Sequence, residues 1–70
     1  MRAACRKLGL RVRELRRAAE QTQEQLAQLA RLDAKHLQLI ESGKTNTTIA
    51  SLVGIAHALD VKLSVLLEGV

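Results

Sequence analysis

Leu8, Val12, Leu15 and Ala19 recur at i, i+4, i+7 and i+11, with charged residues between them. That spacing lays one apolar stripe along a helix and predicts α-structure over about 6–19. Thr22 followed by Gln25 has the pattern of a capping box, in which each side chain satisfies the other's free backbone amide. A second helix is therefore expected over 23–30, burying Leu26 and Ala30. After a short break at Arg31-Leu32, Asp33 is a suitable N-cap for a third helix over 34–41, with Leu37 and Ile40 on one face. Gly43 falls where a helix end favours a left-handed residue. Lys44 to Thr47 is a polar loop, and Thr47 or Thr48 can cap a fourth helix over 48–59. Its expected core stripe is Ile49, Leu52, Ile55, Ala56 and Leu59. Gly54 inside it costs about 1 kcal/mol relative to alanine, which close packing would explain. Asp60 is a turn residue, and Leu63, Leu66 and Leu67 suit a short fifth helix. The pattern predicts an all-α domain of five short helices, with no repeat and no low-complexity linker.

Composition narrows the possibilities. Seventy residues make one domain, 1–70. No aromatic residue is present, which removes the stacking platforms of single-strand readers and the cages that bind methylated lysine. Thirteen leucines and no proline favour helices. One cysteine, Cys5, cannot make an internal disulfide, and a lone thiol fits a reducing compartment. No apolar run is long enough for a membrane span and no signal peptide is seen, so a cytoplasmic protein is expected.

The net charge of +4 is uneven. Arg2, Arg6, Lys7, Arg11, Arg13, Arg16 and Arg17 are seven of eleven cations, opposed in the first 17 positions only by Glu14. That segment carries +6, so the remaining residues sum to −2. A polyanionic partner, nucleic acid or an anionic membrane surface, would account for this; so would a solvated helix face.

The decisive pattern is QEQLAQLARLDAKHLQLIES from Gln23. Apolar residues occupy its positions 4, 8, 10, 15 and 18, which are Leu26, Ala30, Leu32, Leu37 and Ile40. Position 5 is the small Ala27, where two helices must approach closely. Two eight-residue helices joined by a three-residue turn cross steeply, and the second can then project into a DNA major groove.

With LGLRVRELR, TQEQLAQLA, IESGK, LVGIAHALDV and LSVLL, the chain resembles the Cro/phage-repressor-type (XRE) helix-turn-helix family from about Leu8 to Glu68. The resemblance implies a lambda-repressor-like DNA-binding fold with no cofactor. Three departures fall in turns and caps. Arg31 stands where the family usually has glycine, at a cost of roughly 1 kcal/mol if left-handed. Near Thr47 the usual loop proline is missing, and Lys62 replaces a common serine. By the same resemblance, Gln23 meets a phosphate at the start of the second helix, where the helix dipole attracts anions. Lys44 and Thr45 resemble a second phosphate clamp, which Thr47 or Thr48 can join. Glu41 is expected to pair with Arg16 or Arg13 of the first helix.

Base contacts are expected from the exposed N-terminal half of the third helix: Ala34, Lys35 and Gln38, flanked by His36 and Leu39. Lys35 can donate to guanine O6/N7, Gln38 can pair with adenine N6/N7, and Leu39 can meet a thymine methyl. Arg16 and Arg17 are expected at phosphates. Residues 1–5 are expected as a flexible basic N-terminus, with Arg2 and Arg6 serving as an arm or for solubility. A homodimer on an inverted repeat is expected, through Val53, Val65, Leu66 and Val70. The alternative is an antitoxin or other protein-interaction module with a toxin or other protein partner. A membrane-binding first helix is a third possibility.

SGKT at 42–45 lacks the upstream glycine and strand of a phosphate-binding loop. Cys5, His36 and His57 lack zinc-site spacing. No nucleophile–base arrangement is visible, so no enzyme and no metal are expected.

Overall fold

The computed structural model describes residues 2–70. Five helices follow in order: α1 (Arg2–Ala18), α2 (Gln23–Ala30), α3 (Ala34–Glu41), α4 (Ile49–Ala58) and α5 (Leu63–Leu66). Among the described residues all regular structure is helical. The chain has the all-α, five-helix architecture that the pattern implied. α2 and α3 keep the expected bounds. α1 starts four residues earlier than expected, so residues 2–5 are helical rather than a loose arm; Met1 lies outside the described residues. Without glycine or proline before Gly9, nothing in that segment interrupts the helix.

Val12, Leu26, Ala27, Ala30, Leu37, Ile40, Ile55, Ala56, Leu59 and Leu66 form one core. α2 packs on α4, α1 on α3, and α5 closes the end against α4 and α1. Two small residues set these approaches. A Cβ at Gly9 would lie 2.3 Å from the Ile40 carbonyl oxygen, so α1 and α3 touch backbone to backbone. Gly54 similarly faces the Ala30 carbonyl, which identifies close packing as the reason for that glycine.

Four helices end alike. After α1, α2, α3 and α4 the chain turns through a left-handed residue: Glu20 (φ 57), Arg31 (φ 58), Gly43 (φ 73) and Asp60 (φ 57). Each end carries the paired 6→1 and 5→2 backbone bonds of a Schellman motif, such as Leu32 N–H to Ala27 O at 2.8 Å and Arg31 N–H to Gln28 O at 3.2 Å. Only one of the four sites is glycine.

At the helix starts, Thr22 and Gln25 form the expected capping box, and Thr48, not Thr47, caps α4 by accepting from the Ser51 amide. Asp33 has N-cap backbone geometry, but its side chain makes no capping bond. Lys62 likewise offers α5 no side-chain cap.

Three apolar expectations fail: Ala19, placed on the stripe of the first helix, lies past the end of α1 and is exposed, and two others fail on orientation. Ile49, placed in the core stripe, is 63% exposed. It is the first residue of α4 and overhangs the edge of the stripe that Leu52, Ile55 and Ala56 carry inward. Leu66, placed at a dimer surface, is 0% exposed. The single turn of α5 points Leu63 and Leu66 inward and leaves Leu67 outside.

Candidate nucleic-acid interface

The capping box closes the start of α2, which lies near the start of α3. Between them opens a cleft lined by Arg16, Gln21, Thr22, Gln23, Glu24, Ala34, Lys35 and Gln38. Five residues singled out from the sequence are thus brought to one place: Arg16, Gln23, Ala34, Lys35 and Gln38. Lys35 and Gln38 are exposed on the outer face of α3. Ala34 and His36 are half-buried, Ala34 because its methyl packs against the core. Leu39 is 37% exposed and lies outside the core formed by Leu37 and Ile40.

Beneath this surface sits Glu41, a carboxylate 2% exposed. Arg16 grips it twice, with Nε donating to Oε2 at 2.7 Å and Nη2 to Oε1 at 3.1 Å. Gln23 Nε2 donates to Oε1 at 3.1 Å, and Arg13 Nε stands 3.5 Å from the same oxygen. Both expected partners of Glu41 are therefore present. Burial by itself would raise the Glu41 pKa. The Arg16 and Gln23 hydrogen bonds, the Arg16 charge and the Arg13 contact outweigh burial and hold the carboxyl below its ordinary range.

This network joins three helices: α1 through Arg13 and Arg16, α2 through Gln23, and α3 through Glu41. Arg16 also donates from Nη1 to the Gln21 carbonyl at 2.8 Å, so all three of its guanidinium nitrogens are engaged within the chain. Arg16 thus reaches the cleft as part of its frame. Gln23 keeps its backbone amide and a second side-chain hydrogen free of the Glu41 contact. Arg17 is exposed in the last turn of α1.

Lys44 and Thr45 follow α3, in a second cleft shared with Arg2, Cys5, Arg6, Ser42, Gly43 and Asn46. Thr45 Oγ1 donates to the Asn46 carbonyl at 3.0 Å. Thr47 does not join this surface. Its Oγ1 is buried without a hydrogen-bond partner, and it lines an apolar groove with Leu8, Leu52 and Val70. A side chain turned inward there cannot reach a phosphate, which corrects the expectation for Thr47.

Of the four apolar residues expected at a dimer surface, Val53 is 49% exposed, Val65 is half-buried and Val70 borders the groove with Leu8. Leu66 belongs to the core. Ile49 and Leu67 are exposed as well. His57 is exposed, and no three His, Cys, Asp or Glu side chains gather as a metal site among the described residues. None of the described helices is long and apolar enough to cross a membrane.

A family model described as "Helix-turn-helix domain" matches residues 7–68. No match was found among curated proteins. Among solved structures, the restriction-modification controller protein C.AhdI from Aeromonas hydrophila is similar at a TM-score of 0.90 and 38% identity, covering 91% of this chain and 97% of that one. A mutant of the restriction-modification controller C.Esp1396I is similar at 0.84 and 34% identity, covering 93% and 87%. The clp gene regulator ClgR from C. glutamicum is similar at 0.87 and 25% identity, covering 93% and 84%. The packed pair α2 and α3, joined by a short turn, and a match over nearly the whole length place this chain in the helix-turn-helix domain family of DNA-binding proteins.

Proposed function

We propose that this domain is a sequence-specific transcriptional regulator, and that it reads double-stranded DNA as a homodimer with α3 in the major groove. The observation that carries the proposal is the cleft that gathers Gln23, Ala34, Lys35 and Gln38 between two helix N-termini. Phosphate contacts position such a module, and base-edge contacts specify its site. Gln23, Arg17, Lys44 and Thr45 take phosphates. Lys35 and Gln38 read base edges, with Ala34 and Leu39 against thymine methyls and His36 at the margin.

Two half-sites about 34 Å apart on one face of the duplex double the contacts that one small module can make. The dimer surface is drawn from the exposed apolar residues Ile49, Val53 and Leu67, with Val65 and Val70 beside them. Likeness to two restriction-modification controllers over most of their lengths supports regulation of that kind of gene. Such work places the protein in the cytoplasm.

Selection of bound duplexes from a random pool tests the proposal. The expected product is an inverted repeat whose half-sites are one helical turn apart. Gln38→Ala should relax choice at one base pair of each half-site and cost about 1–3 kcal/mol there. Recovery of sequences with no common element, or an unchanged preference in Gln38→Ala, would refute sequence-specific reading by α3.

A further inference from the structure

Arg2, Arg6, Arg13 and Arg16 fall at i, i+4, i+11 and i+14 of α1, with Gly9 between them at i+7. At 3.6 residues per turn these positions share one face. It is the face that meets α3, since Gly9 touches the Ile40–Glu41 backbone there. The C-terminal half of this arginine stripe is neutralised, because Arg13 and Arg16 both sit on Glu41. The N-terminal half is not. Among the described residues neither Arg2 nor Arg6 pairs with a carboxylate, and both are exposed.

These two arginines are held against the loop after α3. Gly43, with φ 73, lies so close to Arg6 that an added Cβ would come within 2.9 Å of its Cα. Arg2, Arg6 and Lys44 line one open cleft of about 450 Å³ with Cys5, Ser42, Gly43, Thr45 and Asn46. The cleft contains three cations and no acidic side chain.

We infer that Arg2 and Arg6 join Lys44 in a second phosphate-binding cleft that grips the backbone of the same duplex α3 reads, beyond the bases it contacts. The inference rests on the proposed DNA-binding function. Three uncompensated charges in one cleft match a polyanion. The cleft is open and its arginines are exposed, so it lacks the enclosed donors a small free anion would need. A duplex docked on α3 is instead delivered beside the loop that follows that helix. Because residues 2–6 are helical, less chain freedom is lost on binding than a loose arm would lose.

Lys7 and Arg11 provide a matched comparison. They also stand four residues apart, but on another side of α1, with Leu10, Glu14, Glu68 and Gly69. Removing either pair changes the net charge by the same amount, so any difference between them reports position.

The experiment measures affinity for a selected duplex against salt concentration. Each phosphate contact contributes about 0.9 to the slope of log K against log salt. Arg2→Gln with Arg6→Gln should flatten the slope by about 2 and leave the preferred sequence unchanged. Lys7→Gln with Arg11→Gln should leave the slope near wild type, and Arg2→Lys with Arg6→Lys should restore it. A neutral methylphosphonate walked along the duplex supplies a readout on the unaltered protein: affinity should fall at backbone positions flanking the base contacts. Equal slopes for the two Gln pairs, or no flanking position sensitive to methylphosphonate, overturns the inference while leaving α3 reading intact. Failure of the wild-type protein to bind any duplex overturns both.

Discussion

Glu41 keeps its charge inside the protein because three side chains from two other helices converge on it. Its carboxyl titrates lower when folded than when unfolded. The stability it contributes is therefore complete above its ordinary value of 4.5 and is lost as pH falls through the lower folded value. Urea midpoints should drop as the solution is acidified below that ordinary value, and Glu41→Gln should remove this part of the pH dependence. Glu41→Ala leaves Arg16 with its side chain only 11% exposed and without its partner. The expected loss is about 3–5 kcal/mol, read from urea unfolding at neutral pH. Arg31 illustrates the opposite case. It is exposed and holds a left-handed conformation that glycine adopts freely. Relief of that strain is partly offset by the greater freedom of glycine in the unfolded chain. Arg31→Gly should raise stability by about 0.5–1 kcal/mol, seen as a higher melting temperature with the duplex preference unchanged.

The elements are locked together by backbone proximity as much as by side chains. α1 crosses α3 at Gly9, where a methyl group would sit 2.3 Å from a carbonyl oxygen. Gly9→Ala improves helix propensity by about 1 kcal/mol but forces the two helices apart. Overpacking of this kind costs about 1–3 kcal/mol or more, so the variant should be less stable in urea despite its better helix former. Because α3 carries the proposed recognition surface and Glu41 sits at its end, the same variant should also bind a selected duplex more weakly. The helix ends explain how such short elements stop cleanly. The Schellman hydrogen bonds satisfy the last carbonyls at each turn, and they hold Glu20, Arg31 and Asp60 in a conformation these residues disfavour alone.

At the scale of the molecule, the basic clefts and the exposed apolar residues of α4 come from different elements. The arginine stripe and the cleft at α2 and α3 form the proposed DNA side. Ile49 and Val53, four residues apart on α4, leave apolar area exposed elsewhere. A 70-residue domain has a thin margin of stability, and covering that area with a second copy would widen it. Val53→Glu should shift the protein to monomer in sedimentation at concentrations where the wild type is dimeric. It should also weaken binding to an inverted repeat far more than binding to a single half-site. Equal sedimentation of the two proteins would remove this face from the dimer surface.

Local chemistry made much of this protein legible in its sequence. The capping box at Thr22, the left-handed Gly43, the small Ala27 and the stripes of α2 and α3 each depend on residues within a few positions of one another. The Glu41 partnership was also visible, through resemblance to a family. What required the tertiary structure was orientation and distance across elements. Leu66 and Leu67 are adjacent leucines, and only the docking of α5 decides which is core. Ile49 fits a helical stripe, yet the end of α4 overhangs it. Thr47 and Thr48 are the same residue type, and one turns inward while the other caps. The sequence by itself determined that the first 17 residues carry most of the positive charge. The crossing of α1 over α3 decided which part of it is neutralised within the chain, because only the C-terminal half of that face meets a buried carboxylate.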